Sequence, residues 1–338
     1  MNSMRDSASE RNAWNRCRYE RHAQGGHYES YFQRANHPER PLAFWIRYTI
    51  FSPRGRDSDA VGELWAIYFD GEKGRIAAAK EVHPLASCQF SDTGLDARIG
   101  AAVLAEDRLE GRARGGSHTL QWALRYAGDQ APLLLLPRSF YDHGFPKAKA
   151  LVGTPNAVFE GVLTVDGEAV RIDGWRGSQN HNWGSKHTDS YAWGQVAGFD
   201  NAPDVFLECS TARLRLGPIW TPPLTLVVLR TEGREFALNS LICAVRARGH
   251  FDFFDWRIES HCSQVRVSAH IHAPPSAFVG LEYDNPPDGT KTCLNTKLAG
   301  CELTLEQAGQ APRTFTTKHR AAFEILTERQ DHGIPIAA

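Results

Sequence analysis

The chain has 338 residues, 42% hydrophobic and 23% charged, with a formal net charge of −1, a balance that offers no broad attraction to phosphate backbones and sets nucleic acid aside as a partner. The longest uncharged apolar stretch, residues 131–137, is strand-length and bracketed by Pro132 and Pro137; no transmembrane segment is predicted, and peripheral membrane contact is left open. The length exceeds what one hydrophobic core organises and predicts two domains.

Residues 1–24 are polar, with repeated Arg and Glu, and read as an arm or a short helix without an assigned role; no apolar h-region supports a secretory signal there. Seven Cys at scattered positions, with no CxxC pair, predict free buried thiols and a reducing, cytoplasmic compartment. From Ala43 the text alternates, with Phe44, Ile46, Tyr48 and Ile50 on one strand face and Trp45, Arg47 and Thr49 on the other, so neither face is simply solvent. Residues 62–70, Asp70-Gly71 and the resumption at Arg75 predict a hairpin; residues 117–126 alternate again, placing His118 and Trp122 on one face. The best candidate for a helical turn is 145–151. Asp166-Gly167, between alternating segments 157–165 and 168–172, is the strongest short-range hairpin signal in the chain. Further strands are predicted over 205–216, 224–230, 235–245, 253–259, 264–272, 278–283, 301–306 and 314–325. Many short strands and almost no 3.6-residue period predict an all-β fold, built as two antiparallel barrels or sandwiches in series.

Chemistry concentrates in Asp173-Gly-Trp-Arg-Gly-Ser-Gln-Asn-His-Asn-Trp-Gly184, running on to Tyr191-Ala-Trp-Gly-Gln195. The segment reads as turn-rich and pinned by neighbouring strands, and its indoles beside convergent polar groups suit a ligand wall. Asp173, Arg176, Gln179, Tyr191, Trp193 and Gln195 are therefore candidate ligand contacts. Plainer uses stand beside these: Asp173 and Arg176 pairing with each other, His181 capping the backbone, Trp183 and Trp193 packing at a domain seam. Upstream, Glu29, Trp45, Arg47, His118 and Trp122 are candidates for a barrel lumen, with solvent as the other option. His270-Ile-His272 lacks a third ligand, so no metal site is expected, and no phosphate loop or nucleophile elbow predicts a cofactor or a hydrolase.

At His181-Asn-Trp183-Gly184 the sequence resembles the lipocalin-like superfamily of carotenoid 1,2-hydratases (hydroxyneurosporene synthases), AttH-type proteins and, more distantly, tocopherol cyclases. The segment from His27 to Pro38, the strand from Ala43 and the strand from Gly62 to Asp70 look like the same group's entry strands. The resemblance implies two calycin-like β-barrels in tandem, over 25–188 and 189–330 after the arm, with the junction soon after the Trp-Gly pair rather than at Gly144-Phe-Pro146 or Pro222-Pro223. It implies a hydrophobic ligand, isoprenoid or polyketide-like, bound within or between the barrels. Where such proteins are enzymes, chemistry is proton addition to a C=C bond followed by hydration or cyclisation without a cofactor. His181 and Trp183 match the group's His-x-Trp and are expected at the catalytic site. The group's Tyr-x-Asp falls near Phe206-x-Glu208, where the Tyr is missing; Glu208 is the expected acid, with Asp173 and Glu29 as other carboxyls. A non-catalytic carrier of the same fold is the alternative.

Overall fold

A computed structural model describes residues 2–21 and 25–338, with the side chains of 2–8 and 216 left aside; Met1 and residues 22–24 of the expected arm lie outside it. The chain is all-β, in two large antiparallel sheets. Strands of the first run from His27–Asn36 to Glu168–Gly184, strands of the second from Ser190–Phe199 to Arg313–Thr327, and residues 185–189 connect them. In the first sheet His27–Asn36 lies between Leu42–Ser52 and Glu168–Gly184; in the second Ser190–Phe199 lies between Ala202–Arg213 and Arg313–Thr327. Each sheet curls on itself. In the first, the Arg114 backbone N–H donates to Glu81 Oε1 at 2.8 Å, joining strands far apart in sheet order.

Strand alternation builds three large cores, with smaller clusters beside them. Phe44, Ile46, Tyr48, Trp122 and Phe159 fill the first barrel, and Val196, Leu207, Trp256, Leu303 and Phe323 the second. The other faces do not meet solvent: Phe32, Trp45 and Trp65 of the first sheet pack against Trp193, Tyr283 and Leu326 of the second. A fully buried aromatic is worth about 2–3 kcal/mol relative to exposure, so this intervening layer binds the sheets strongly.

The Asp166-Gly167 hairpin forms, with positive φ at both residues (52° and 88°), as a two-residue type I′ connection requires. Several expectations are corrected. Residues 173–184 are not a turn: they complete the 17-residue strand Glu168–Gly184, because their polar groups find partners on both sheet faces. Gly177 permits this, since a Cβ there would collide with the Arg34 carbonyl. Residues 145–151 form no helical turn; the strand Ala148–Val165 begins there. Helices lie at Asn2–Asn15 and at Leu241–Arg246, inside the segment read as the strand 235–245. Cys243 and Cys262 form a disulfide, so the cysteine argument for a reducing compartment loses its premise; Cys17, Cys88, Cys209, Cys293 and Cys301 are free. No helix among the described residues is long and apolar enough to cross a membrane.

Candidate functional site

Alternation splits the polar strand into two faces with different tasks. In register, Trp183 sits opposite Glu29, His181 opposite Tyr31, and Asn180 opposite Phe32. The odd-numbered face turns into the first barrel. There His181 Nε2 meets Glu29 Oε1 at 2.8 Å and Nδ1 meets the Trp14 carbonyl at 2.9 Å, while the ring stacks on Tyr31 at 4.3 Å. Glu29 also accepts from the Arg18 backbone N–H (3.0 and 2.9 Å) and the Tyr31 hydroxyl (3.0 Å). Burial pushes the Glu29 carboxyl up, but hydrogen bonds from His181 and His27 outweigh it and hold it well below the carboxylate range. Burial lowers the His181 imidazole below its ordinary value, against the pull of the Glu29 hydrogen bond and charge, and acceptors at both ring nitrogens, Glu29 and the Trp14 carbonyl, fix the ring's orientation. Trp183 lies beside it under the Arg18 guanidinium, 4.0 Å from the ring centroid, and Gln179 Oε1 accepts from Asn15 Nδ2 at 2.9 Å. This face clamps the N-terminal segment.

The even-numbered face turns toward the second sheet and a cavity of about 260 Å³, just under the roughly 300 Å³ at which small-molecule pockets begin. Its polar wall includes Asn180, Asn182, Tyr191, Trp193, Glu208 and Glu324; its apolar wall includes Leu135, Leu136, Phe140, Leu151, Leu224 and Leu226. His181 borders the cavity, yet its imidazole is committed to the opposite face.

Glu208 is 2% exposed. Burial raises its carboxyl to about 7, against the pull of hydrogen bonds from Trp193 and Gln195 and of the Arg34 charge. Trp193 Nε1 donates to Oε1 at 2.8 Å and Gln195 Nε2 to Oε2 at 2.7 Å. Both contacts are donations to Glu208, so neither takes up the proton of its neutral form. Gln195 is itself oriented: Arg34 Nε and Ser178 Oγ donate to its Oε1 at 2.7 and 2.6 Å, and its Nε2 also reaches Asn180 Oδ1 at 2.8 Å. Asn182 Oδ1 is buried without a hydrogen-bond partner among the described residues. Burial lowers the cavity-wall His187 to about 3, so it is a neutral ring, stacked 3.9 Å from Tyr28.

Of the sequence-derived candidates, the structure brings Glu208, Tyr191, Trp193 and Gln195 together at or behind the cavity wall, and places His181, Trp183, Glu29 and Gln179 on the clamp. Trp45 and Arg47 lie in the layer between the sheets, Arg47 donating to Ser30 Oγ and lying 4.4 Å from the Tyr283 ring centroid. Four lie elsewhere. His118 is held by Asp166 at the hairpin end (2.9 Å), and Trp122 is in the first barrel's packed core, donating to the Tyr48 hydroxyl. Asp173 pairs with Arg171 at 2.9 Å rather than with Arg176, which reaches Asp204 at 3.6 Å. Sequence reasoning missed Arg34, Asn180, Asn182 and the buried pair Lys297–Glu324 (2.7 Å). The signal for the two Asn was present: they alternate with His181 and Trp183 and so take the other face. His270 Nε2 meets Asp255 Oδ2 at 2.6 Å, and no group of three metal-ligating side chains occurs among the described residues.

No protein-family model matches the chain. An uncharacterized protein of Mycobacterium tuberculosis, in strains CDC 1551 / Oshkosh and H37Rv, is 27% identical over 221 residues, which cover 65% of this chain and 64% of that protein. Among solved structures, a candidate AttH of Nitrosomonas europaea matches with a TM-score of 0.57 at 12% identity, covering 93% of this chain and 97% of its own. Kievitone hydratase of Nectria haematococca matches at 0.54 and 13%, covering 91% and 90%. CghA matches at 0.56 and 11%, covering 91% and 89%, and has also been solved with Sch210972. These likenesses identify the fold as lipocalin-like.

Proposed function

We propose that this chain binds a hydrophobic, alkene-bearing small molecule in the cavity between two barrel units, 25–188 and 189–330, and carries out cofactor-free, acid-initiated hydration or cyclisation with Glu208 as the acid. The observation that carries this reading is a buried carboxyl raised to about 7 in the wall of a largely apolar cavity, whose two oxygens accept from Trp193 and Gln195 and meet no acceptor among the described residues. Neighbours of the same fold include a protein named as a hydratase, which supports the reaction class.

The Glu208 O–H bond breaks as its hydrogen bonds to one alkene carbon, leaving a cation on the other. The indole of Trp193 and the rings of Tyr191, Tyr28 and Phe32 border the cavity and offer π-faces to that charge. Asn182 Oδ1, free to accept, orients a water whose oxygen bonds to the cation; that water's surplus proton returns to Glu208, so the acid is regenerated. When a second C=C of the substrate captures the cation instead, the product is a ring, and loss of a proton to Glu208 closes the cycle.

Mass spectrometry of apolar extracts from the purified protein, followed by incubation with isoprenoid and polyketide alkenes, tests the reading. Wild type is expected to bind such a molecule, with quenching of Trp fluorescence, and to convert it, while Glu208→Gln binds without conversion. Binding without conversion by both assigns the chain to the carrier role, and absence of any apolar ligand overturns the whole reading.

A further inference from the structure

The cavity opens under a rim whose apolar side chains point outward. Phe145 and Leu241 line the cavity and are nonetheless 57% and 58% exposed, so they stand at its mouth. Leu241 begins the short helix Leu241–Arg246, which buries Cys243 and Ala244 but exposes Ile242 (64%) and Val245 (53%); their spacing of three and four residues puts all three on one helix face. On the other side, Leu214 and Leu224 line the cavity, and the chain between them projects as a hairpin, Arg215–Leu216 paired with Ile219–Trp220, whose Ile219 is 69% exposed. Three separate segments thus carry exposed apolar side chains to one opening. In a chain of net charge −1, the exposed charged side chains of the same stretches, 142–149, 213–220 and 240–247, are four Lys and Arg against one Asp, a fifth cation, Lys149, being buried.

We infer that this rim docks on an anionic lipid surface, from which the cavity takes its apolar ligand. Exposed apolar side chains with flanking cations are the composition of an interfacial anchor, in which hydrocarbon enters the headgroup boundary and cations meet anionic heads. A protein partner would be met equally well by the apolar groups, but the surplus of cations selects a negatively charged plane. Docking there lets a water-insoluble ligand pass from bilayer to cavity without crossing water. The inference rests on the cavity taking an apolar ligand, and is independent of whether Glu208 transforms it.

Co-sedimentation of the full chain with large unilamellar vesicles, of phosphatidylcholine alone or with about one-third phosphatidylglycerol, tests the inference. Wild type is expected to bind the anionic vesicles more tightly, and less as salt rises. The double substitution Ile242→Ser/Val245→Ser, outside the cavity wall, should lower partitioning roughly tenfold or more on both compositions. Lys147→Gln/Arg246→Gln should lower it roughly fivefold per cation removed on anionic vesicles only. These variants should keep wild-type melting temperatures and quenching by a soluble short-chain isoprenoid, which separates loss of docking from loss of the cavity. Wild type remaining in the supernatant with both vesicles overturns the inference, as does concentration-dependent self-association that Ile242→Ser/Val245→Ser abolishes without any vesicle binding, which assigns the rim to a second copy.

Discussion

Gln195 Nε2 faces Glu208 Oε2 at 2.7 Å because Arg34, which can only donate, holds the other end of the same amide. An amide cannot turn without presenting its NH₂ to the guanidinium, so a residue deep in the first sheet fixes what the carboxyl in the second sheet meets. Each oxygen of Glu208 thereby receives one hydrogen bond and retains capacity for a proton.

The pH dependence of stability follows from the same carboxyl. A carboxyl raised in the folded state binds its proton more tightly there than in the unfolded chain. Its contribution is full below the ordinary value of 4.5, falls as pH rises, and reaches its low plateau above about 7. The difference is on the order of 3 kcal/mol. Urea denaturation at pH 5 and pH 8 should show wild type losing most of this amount relative to Glu208→Gln; parallel curves for the two proteins would exclude a raised Glu208. Turnover, which needs the neutral acid, should fall as pH rises through about 7.

Arg34→Met should leave Asn36 Oδ1 without its buried donor, at roughly 1–3 kcal/mol, and Gln195 Oε1 with Ser178 Oγ in place of two donors. It also removes a positive charge that pulls Glu208 down, so the pH limit of turnover should move upward. A stability loss with an unmoved pH profile would confine Arg34 to structure.

His181→Ala removes the clamp's contacts to Glu29 and the Trp14 carbonyl while leaving Asn180, Asn182 and Glu208 in the cavity wall. It should loosen the N-terminal segment, read as faster hydrogen exchange at the Arg18 amide, whose N–H is held by Glu29. Ligand quenching should persist. Loss of binding with unchanged exchange would return His181 to the ligand site.

Reduction of Cys243–Cys262, which closes a loop with a sequence separation of 19, should cost about 3 kcal/mol. Melting with and without dithiothreitol measures it, and Cys243→Ser should melt like the reduced wild type. Equal melting in both conditions would mean that the bridge does not form in solution.

The first sheet was readable because Phe44, Ile46 and Tyr48 alternate with Trp45, Arg47 and Thr49, and large side chains on both faces foretold two buried surfaces. Trp193 and Gln195 were legible as neighbours, since residues two apart in a strand share a face, whereas Glu208 came from the position that the resemblance assigns to an acid; the structure pairs it with Gln195. His181 makes the backbone contact that was one of its two readings, and a motif match alone could not choose between them, because it names residues without saying which way they point. The strand over 173–184 was hidden by its polarity: two Asn, a Gln and a Ser suit a turn until partners such as Gln195 and Asn15 arrive from segments far away in sequence. Arg34 was passed over for the same reason, because its partners Gln195 and Arg320 are distant along the chain.

The aromatic layer between the sheets makes the two barrels poor candidates for independent life. Cut apart at the connection, residues 25–188 would present Phe32, Trp45 and Trp65 to water beside the buried cations Arg34 and Arg47, and the remainder would present Trp193 and Tyr283 beside Lys297. Neither half could hydrate its charges without wetting its indoles. Each is therefore expected to clump when expressed alone, and the whole to melt in a single cooperative step, so that a chain with two hydrophobic interiors behaves as one folding unit.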